Sequence, residues 1–81
     1  MLITVEFSSL FRAIAGVERE FLEVEEGITI KGLSGIIGQK YPDLPLESEK
    51  AYFVVNNQIV MRDQVLKEGD QVRIFQLLAG G

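Results

Sequence analysis

The chain contains no cysteine and no histidine. The first absence excludes disulfide staples, thiolate nucleophiles and zinc-thiolate sites; the second removes the usual metal ligand and the general base best matched to neutral pH. Long apolar runs are also missing at the amino terminus. Met1-Leu2-Ile3-Thr4-Val5-Glu6-Phe7 alternates and meets an acid within six residues. Neither a signal peptide nor a membrane span is expected there, and the expected location is cytoplasmic. Cations are few: eight Lys and Arg against twelve Asp and Glu give a net charge of -4 and a pI near 4.7. A nucleic-acid binder would need a clustered basic surface, so nucleic acid is not an expected partner, and an acidic surface suits a basic protein better.

What is present is the composition of a folded chain, 47% hydrophobic and 25% charged. Its 81 residues leave room for one domain around one core. Ile3, Val5 and Phe7 alternate with Thr4 and Glu6, which predicts a half-buried strand from Leu2 to Ser8. From Ser9 to Gly16 the spacing of Leu10, Ala13 and Ile14 is helical, and Gly16 ends it. Glu18 to Glu25 alternates again, predicting a second strand that pairs back as a hairpin and buries Phe21 together with Leu22 or Val24.

After the Glu26-Gly27 turn, Thr29 is the expected N-cap of a helix whose stripe is Ile30, Leu33, Ile37 and Tyr41, closed by Tyr41-Pro42. Gly32, Gly35 and Gly38 fall inside it, each costing about 1 kcal/mol relative to alanine. Close packing of helix on sheet is the expected reason for them. They do not form a phosphate loop, since the Walker lysine is missing and the glycines lie within a helix. Asp43 to Lys50 reads as a surface connection. Ala51 to Asn56 is a strand, Asn56-Asn57 a turn pair tolerant of positive φ, and Ile59 to Met61 a short strand. Leu66 to Asp70 supplies the next turn. The last strand runs from Gln71 to Leu78 with Val72 and Ile74 on one face and Arg73 and Phe75 on the other. The order strand, strand, helix, strand, short strand, strand, two antiparallel hairpins flanking a helix that crosses one sheet, is an α+β layer architecture.

Val55-Asn56-Asn57-Gln58-Ile59-Val60, Asp63, Leu66, Gly69-Asp70, Val72 and the closing Gly80-Gly81 together resemble the MoaD/ThiS sulfur-carrier family. Val5, Phe7, Leu10, Arg12 and Gly16 look like its molybdopterin-synthase small-subunit branch. Gln76-Leu77 departs from that branch, which commonly has a proline pair there. The resemblance implies a β-grasp, ubiquitin-like fold: a mixed sheet of about five strands crossed by one main helix, with residues 1–81 as a single domain and 76–81 as an extended C-terminal tail. It further implies a carrier that is not an enzyme on its own and holds no permanent cofactor. A ubiquitin-activating-type adenylyltransferase uses ATP to adenylate Gly81, sulfur replaces AMP to give a thiocarboxylate, and a sulfur-accepting synthase large subunit receives it.

The chemistry suits the residues. A carboxylate is a poor electrophile until an anhydride with AMP supplies a leaving group. Glycine at 80 and 81 leaves the reacting backbone without Cβ, so it can thread a narrow channel. Ordering such a tail costs about 1–2 kcal/mol per residue, so contacts beyond it must hold the partner. Phe75, on the face opposite Val72 and Ile74, is an expected anchor, and Ile59 takes a similar place in the resemblance. Leu77, Leu78 and Ala79 form an apolar lead-in for a groove on the partner. Two functions use this tail: a sulfur carrier for molybdopterin, or for thiazole or amino-acid synthesis; and a ubiquitin-like modifier joined to lysines through Gly81. A third, a non-covalent ubiquitin-like interaction module, would leave the glycines without a role.

Overall fold

A computed structural model describes residues 1–76. The elements are β1 Leu2–Phe7, α1 Ser9–Ala15, β2 Arg19–Glu23, α2 Ile30–Lys40, β3 Ala51–Val55, β4 Gln58–Val60 and β5 Gln71–Gln76. They form one five-stranded sheet in the order β2-β1-β5-β3-β4. The central pair β1 and β5 is parallel and the other pairs are antiparallel. This is the α+β β-grasp architecture, with a mixed sheet and one main helix.

The alternation of β1 sets the core. Ile3, Val5 and Phe7 are all 2% exposed or less, and register extends them across the sheet. Val5 stands beside Val72 and Val72 beside Val55; Phe7, Ile74, Phe53 and Val60 make a second inward row. On these rows lies α2, whose stripe is the expected one: Ile30, Leu33 and Ile37 are buried, and Tyr41 meets the Phe7 ring edge-on at 5.6 Å. Thr29 caps the helix by accepting the Gly32 N–H at 3.2 Å. The N–H groups of Ile30 and Lys31, left unpaired by helix geometry, donate to the carbonyls of Gln64 and Arg62 at 3.0 and 2.9 Å.

The turns are also as expected. Asn56 and Asn57 have φ of 50° and 72°, the double positive φ of a tight hairpin whose twist matches its strands. Gly16 closes α1 at φ 78°, a left-handed position where a Cβ would be strained.

Several expectations are corrected. Phe21 is 74% exposed, not buried. Val5 pairs with Glu20 and Ile3 with Leu22, so Glu20 and Leu22 face the helix and Phe21 faces out. Glu20 is tolerated there because Lys40, at the end of α2, approaches its carboxylate to 2.6 Å. In α1 the core residue is Phe11, while Leu10 and Ile14 are 44% and 37% exposed. Leu44 and Leu46, in the presumed surface connection, are buried and pin it to the core.

The helix glycines do not serve packing on the sheet. Among the described residues, a Cβ on Gly32 would come 2.9 Å from Ile28 Cγ1, one on Gly38 would lie 3.9 Å from Leu46 Cδ1, and one on Gly35 would meet nothing within 4 Å. Gln76, counted with the tail from sequence, is the last residue of β5 and pairs with Ala51.

Candidate functional site

The site is built on the sheet face away from α2, around the end of β5. Because β5 is flanked by β1 and β3, the chain reaches Gln76 from the middle of the sheet. Period two puts Phe75 on the open face, as expected, and its register partner on β3 is Tyr52. The two rings stack with centroids 5.8 Å apart and planes 25° from parallel. That contact leaves Phe75 half-buried, so it is less exposed than the alternation alone implies.

Ile59, the other expected anchor, is 64% exposed. It pairs with Val54, which pairs in turn with Arg73. Met61, two residues on and 77% exposed, extends the patch. Phe75, Tyr52, Val54, Ile59 and Met61 therefore make an apolar area at one side of the open face. Strand β4 has no neighbour beyond it among the described strands, so the patch is open at the sheet edge. A shallow depression there is lined by Tyr52, Ile59, Met61 and Arg62, among others. The Arg62 guanidinium lies 5.0 Å over the Phe53 ring and donates to the Leu46 carbonyl, on the helix side of that edge.

Toward the other edge the open face becomes charged. Glu6 sits in register between Arg19 on β2 and Arg73 on β5, with each guanidinium 3.6 Å from its carboxylate. Such exposed pairs contribute little to stability, but they place two cations beside the apolar area. An apolar centre with a charged margin is the usual anatomy of a protein interface.

Tyr52, Val54 and Met61 were not singled out from sequence. Strand β3 contains Tyr52-Phe53-Val54-Val55, and alternation there separates two faces without saying which one the helix covers; pairing with β5 settles it. Leu77, Leu78, Ala79, Gly80 and Gly81 lie outside the described residues. Among those described, no group of three or more acidic side chains is placed to hold a metal, and no helix is long and apolar enough to cross a membrane.

One mixed sheet grasping one principal helix, with an apolar open face next to the end of the central strand, defines a small β-grasp domain. The chain belongs to the ThiS family, whose model matches residues 5–81. It is 32% identical over 75 residues to the molybdopterin synthase sulfur carrier subunit of Mycobacterium tuberculosis, covering 93% of this chain and 90% of that one. SAMP1, a small archaeal modifier protein from Haloferax volcanii, aligns over 100% of both chains with a TM-score of 0.88 at 13% identity. A solved complex of subunits 1 and 2 of molybdopterin-converting factor from Helicobacter pylori matches with a TM-score of 0.70 and 21% identity, again over 100% of both chains. At those identities the likeness to the solved structures concerns the fold alone.

Proposed function

We propose that this chain is a sulfur carrier for molybdopterin synthesis that works through the carboxylate of Gly81. A carboxylate oxygen of Gly81 attacks the α-phosphorus of ATP held by an activating enzyme, and pyrophosphate leaves. Hydrosulfide then attacks the carbonyl carbon of the acyl adenylate, AMP departs with the bonding pair, the S–H proton is released, and a thiocarboxylate remains. On the synthase large subunit the thiocarboxylate sulfur bonds to a pterin precursor, and water then cleaves the carrier's carbon–sulfur bond, leaving the sulfur on the pterin and the carrier as a carboxylate. No step asks the carrier for an acid, a base or a cofactor of its own, in keeping with its lack of histidine and cysteine.

The observation that carries this reading is the family match, which runs through Gly80 and Gly81. The name of the Mycobacterium tuberculosis relative supports the molybdopterin branch, and the Helicobacter pylori complex offers a precedent for a two-subunit assembly. The geometry suits it as well. Leu77 to Gly81 are five residues, and five residues extend at most about 18 Å. A partner that grips Tyr52, Ile59 and Phe75 must therefore have its reactive centre within that distance of the end of β5.

Sulfur delivery tests the assignment. The thiocarboxylated chain is mixed with a synthase large subunit and the pterin precursor, and both pterin and carrier are followed by mass. Expected is sulfur on the pterin with the carrier mass returning to that of the carboxylate. A carrier that keeps its sulfur, or that appears joined to lysines instead, moves the assignment to another acceptor or to protein modification.

A further inference from the structure

Strand β2 ends the sheet: β1 pairs with it on one side, and no described strand lies on the other. Which of its backbone groups face outward follows from the ladder. Met1 and Val24 exchange two hydrogen bonds, at 2.8 and 2.7 Å, and at the far end the Phe7 N–H donates to the Glu18 carbonyl at 2.9 Å. Hydrogen-bonded pairs alternate along an antiparallel ladder, and between those ends the register matches Ile3 with Leu22 and Val5 with Glu20. The N–H and C=O groups of Glu20 and Leu22 therefore turn toward β1. Those of Arg19, Phe21 and Glu23 point out from the edge.

The same three residues carry the exposed side chains of the strand, while Glu20 and Leu22 are half-buried. Phe21 is 74% exposed, and Leu2, 57% exposed, lies diagonal to it on the same face as the register partner of Glu23. Charges on an edge strand ordinarily repel another strand. Here they are of opposite sign and equidistant from Phe21. Arg19 approaches Glu6 only to 3.6 Å with both side chains partly exposed, and Glu23 pairs with no cation among the described residues. Arg19-Glu20-Phe21-Leu22-Glu23 is thus self-complementary in antiparallel pairing. Turned about a two-fold axis through Phe21, a second copy sets Phe21 on Phe21 and each Arg19 on the partner's Glu23. In that register the outward N–H and C=O groups of the two edges meet. Two-fold registers centred on Arg19, Glu20 or Glu23 set like charges face to face, and one centred on Leu22 sets Phe21 against a carboxylate.

We propose that β2 docks on β2 of a second copy of this chain, giving an isologous dimer with one sheet continuous across both copies. Five residues a side make a small interface, so the dimer is weak and concentration-dependent. The Ile59 patch lies at the β4 edge, the opposite end of the sheet, and stays open when β2 is paired. The proposal does not depend on the sulfur chemistry.

The test is sedimentation equilibrium of the full chain from about 10 μM to about 1 mM, with amide spectra of the ¹⁵N-labelled chain over the same range. Expected is a monomer–dimer equilibrium, with concentration-dependent shifts centred on Arg19, Phe21 and Glu23. R19E, which sets like charges at both ends of the pairing, should weaken dimerisation by at least about tenfold. E23R, which leaves Arg19 and Glu6 in place, should weaken it as much. R19E/E23R restores opposite charges in the proposed register and should return the affinity to within about threefold of the original. All three variants should keep dispersed spectra, since both positions are exposed. The proposal is overturned by a monomer over the whole range, by shifts centred on Ile59 and Met61, or by R19E/E23R dimerising no better than R19E.

Discussion

Asn56 donates from Nδ2 to Asp70 Oδ1 at 2.9 Å, joining two turns that are fourteen residues apart in sequence. Its own Oδ1 accepts the Gln71 N–H at 3.1 Å, and Asp70 Oδ2 accepts the Lys67 N–H at 2.8 Å. The Asn turn and the Gly-Asp turn, two parts of the family resemblance, thus form one hydrogen-bonded clamp. It ties the β3–β4 hairpin to the start of β5.

Asn56 also has positive φ, so two effects can be separated there. Asn56→Gly should lose the side-chain hydrogen bonds and cost about 1 kcal/mol. Asn56→Ala should cost about 1 kcal/mol more, because alanine is strained in the left-handed region. Urea denaturation measures both, and equal costs would mean the backbone conformation contributes nothing.

The open face predicts a division between stability and binding. Ile59→Ala should change stability by no more than about 0.5 kcal/mol and weaken binding to the activating enzyme by about tenfold. Phe75→Ala should lower both, since its ring stacks on Tyr52. A Phe75/Tyr52 double-mutant cycle should return a coupling of about 0.5–1.5 kcal/mol. Loss of stability without loss of affinity at Phe75 would remove it from the interface.

Ser34 is 3% exposed on the buried side of α2, and its Oγ has no hydrogen-bond partner among the described residues. An unsatisfied buried hydroxyl is costly, and alanine is the better helix former. Ser34→Ala should therefore stabilise the fold by about 0.5–1 kcal/mol, seen as a higher Tm. A lower Tm would show that the hydroxyl has a partner in solution.

The end of α2 predicts an alkaline transition. Lys40 is held above its ordinary 10.5, first by its hydrogen bond to Glu20, against a smaller opposing effect of burial. Tyr41 is held above its ordinary 10.0, chiefly by burial and then by Glu20. Both folded values are raised, so both contributions are fully present below the unfolded values and are lost as pH rises through the folded ones. Urea stability should show no loss from these groups near neutral pH and should fall above about pH 10. The fall should be shallower in K40M/Y41F. An equally steep fall in that variant would assign the transition to other groups.

Much of this was legible because particular residues leave few choices. Thr29 followed by Ile30, Leu33 and Ile37 admits one helix with one buried face, and the Asn56-Asn57 pair admits a tight hairpin. Elsewhere the pattern was degenerate. Alternation in β2 separates Phe21 from Glu20 and Leu22, but the buried set was decided by Lys40 and Tyr41, which come from another element. A seven-residue helix fits two frames of a 3.6 period, and Phe11 won over Leu10 and Ile14. Leu44 and Leu46 sit in an irregular segment with no period to reveal their burial. At the site, Phe75 and Ile59 followed from strand alternation and resemblance, while Tyr52, Val54 and Met61 needed the β3 pairing.

The central claim rests on Gly81. The chain and a variant lacking Gly81 are each incubated with ATP, a sulfide source and an activating enzyme, and intact masses are read with fragmentation of the terminal peptide. The account predicts replacement of one oxygen by sulfur, mapped to Gly81, in the full chain, with no change in the variant and both chains equally folded. Equal loading of the two chains, or no loading of the full chain by any activating enzyme that binds it, would contradict it.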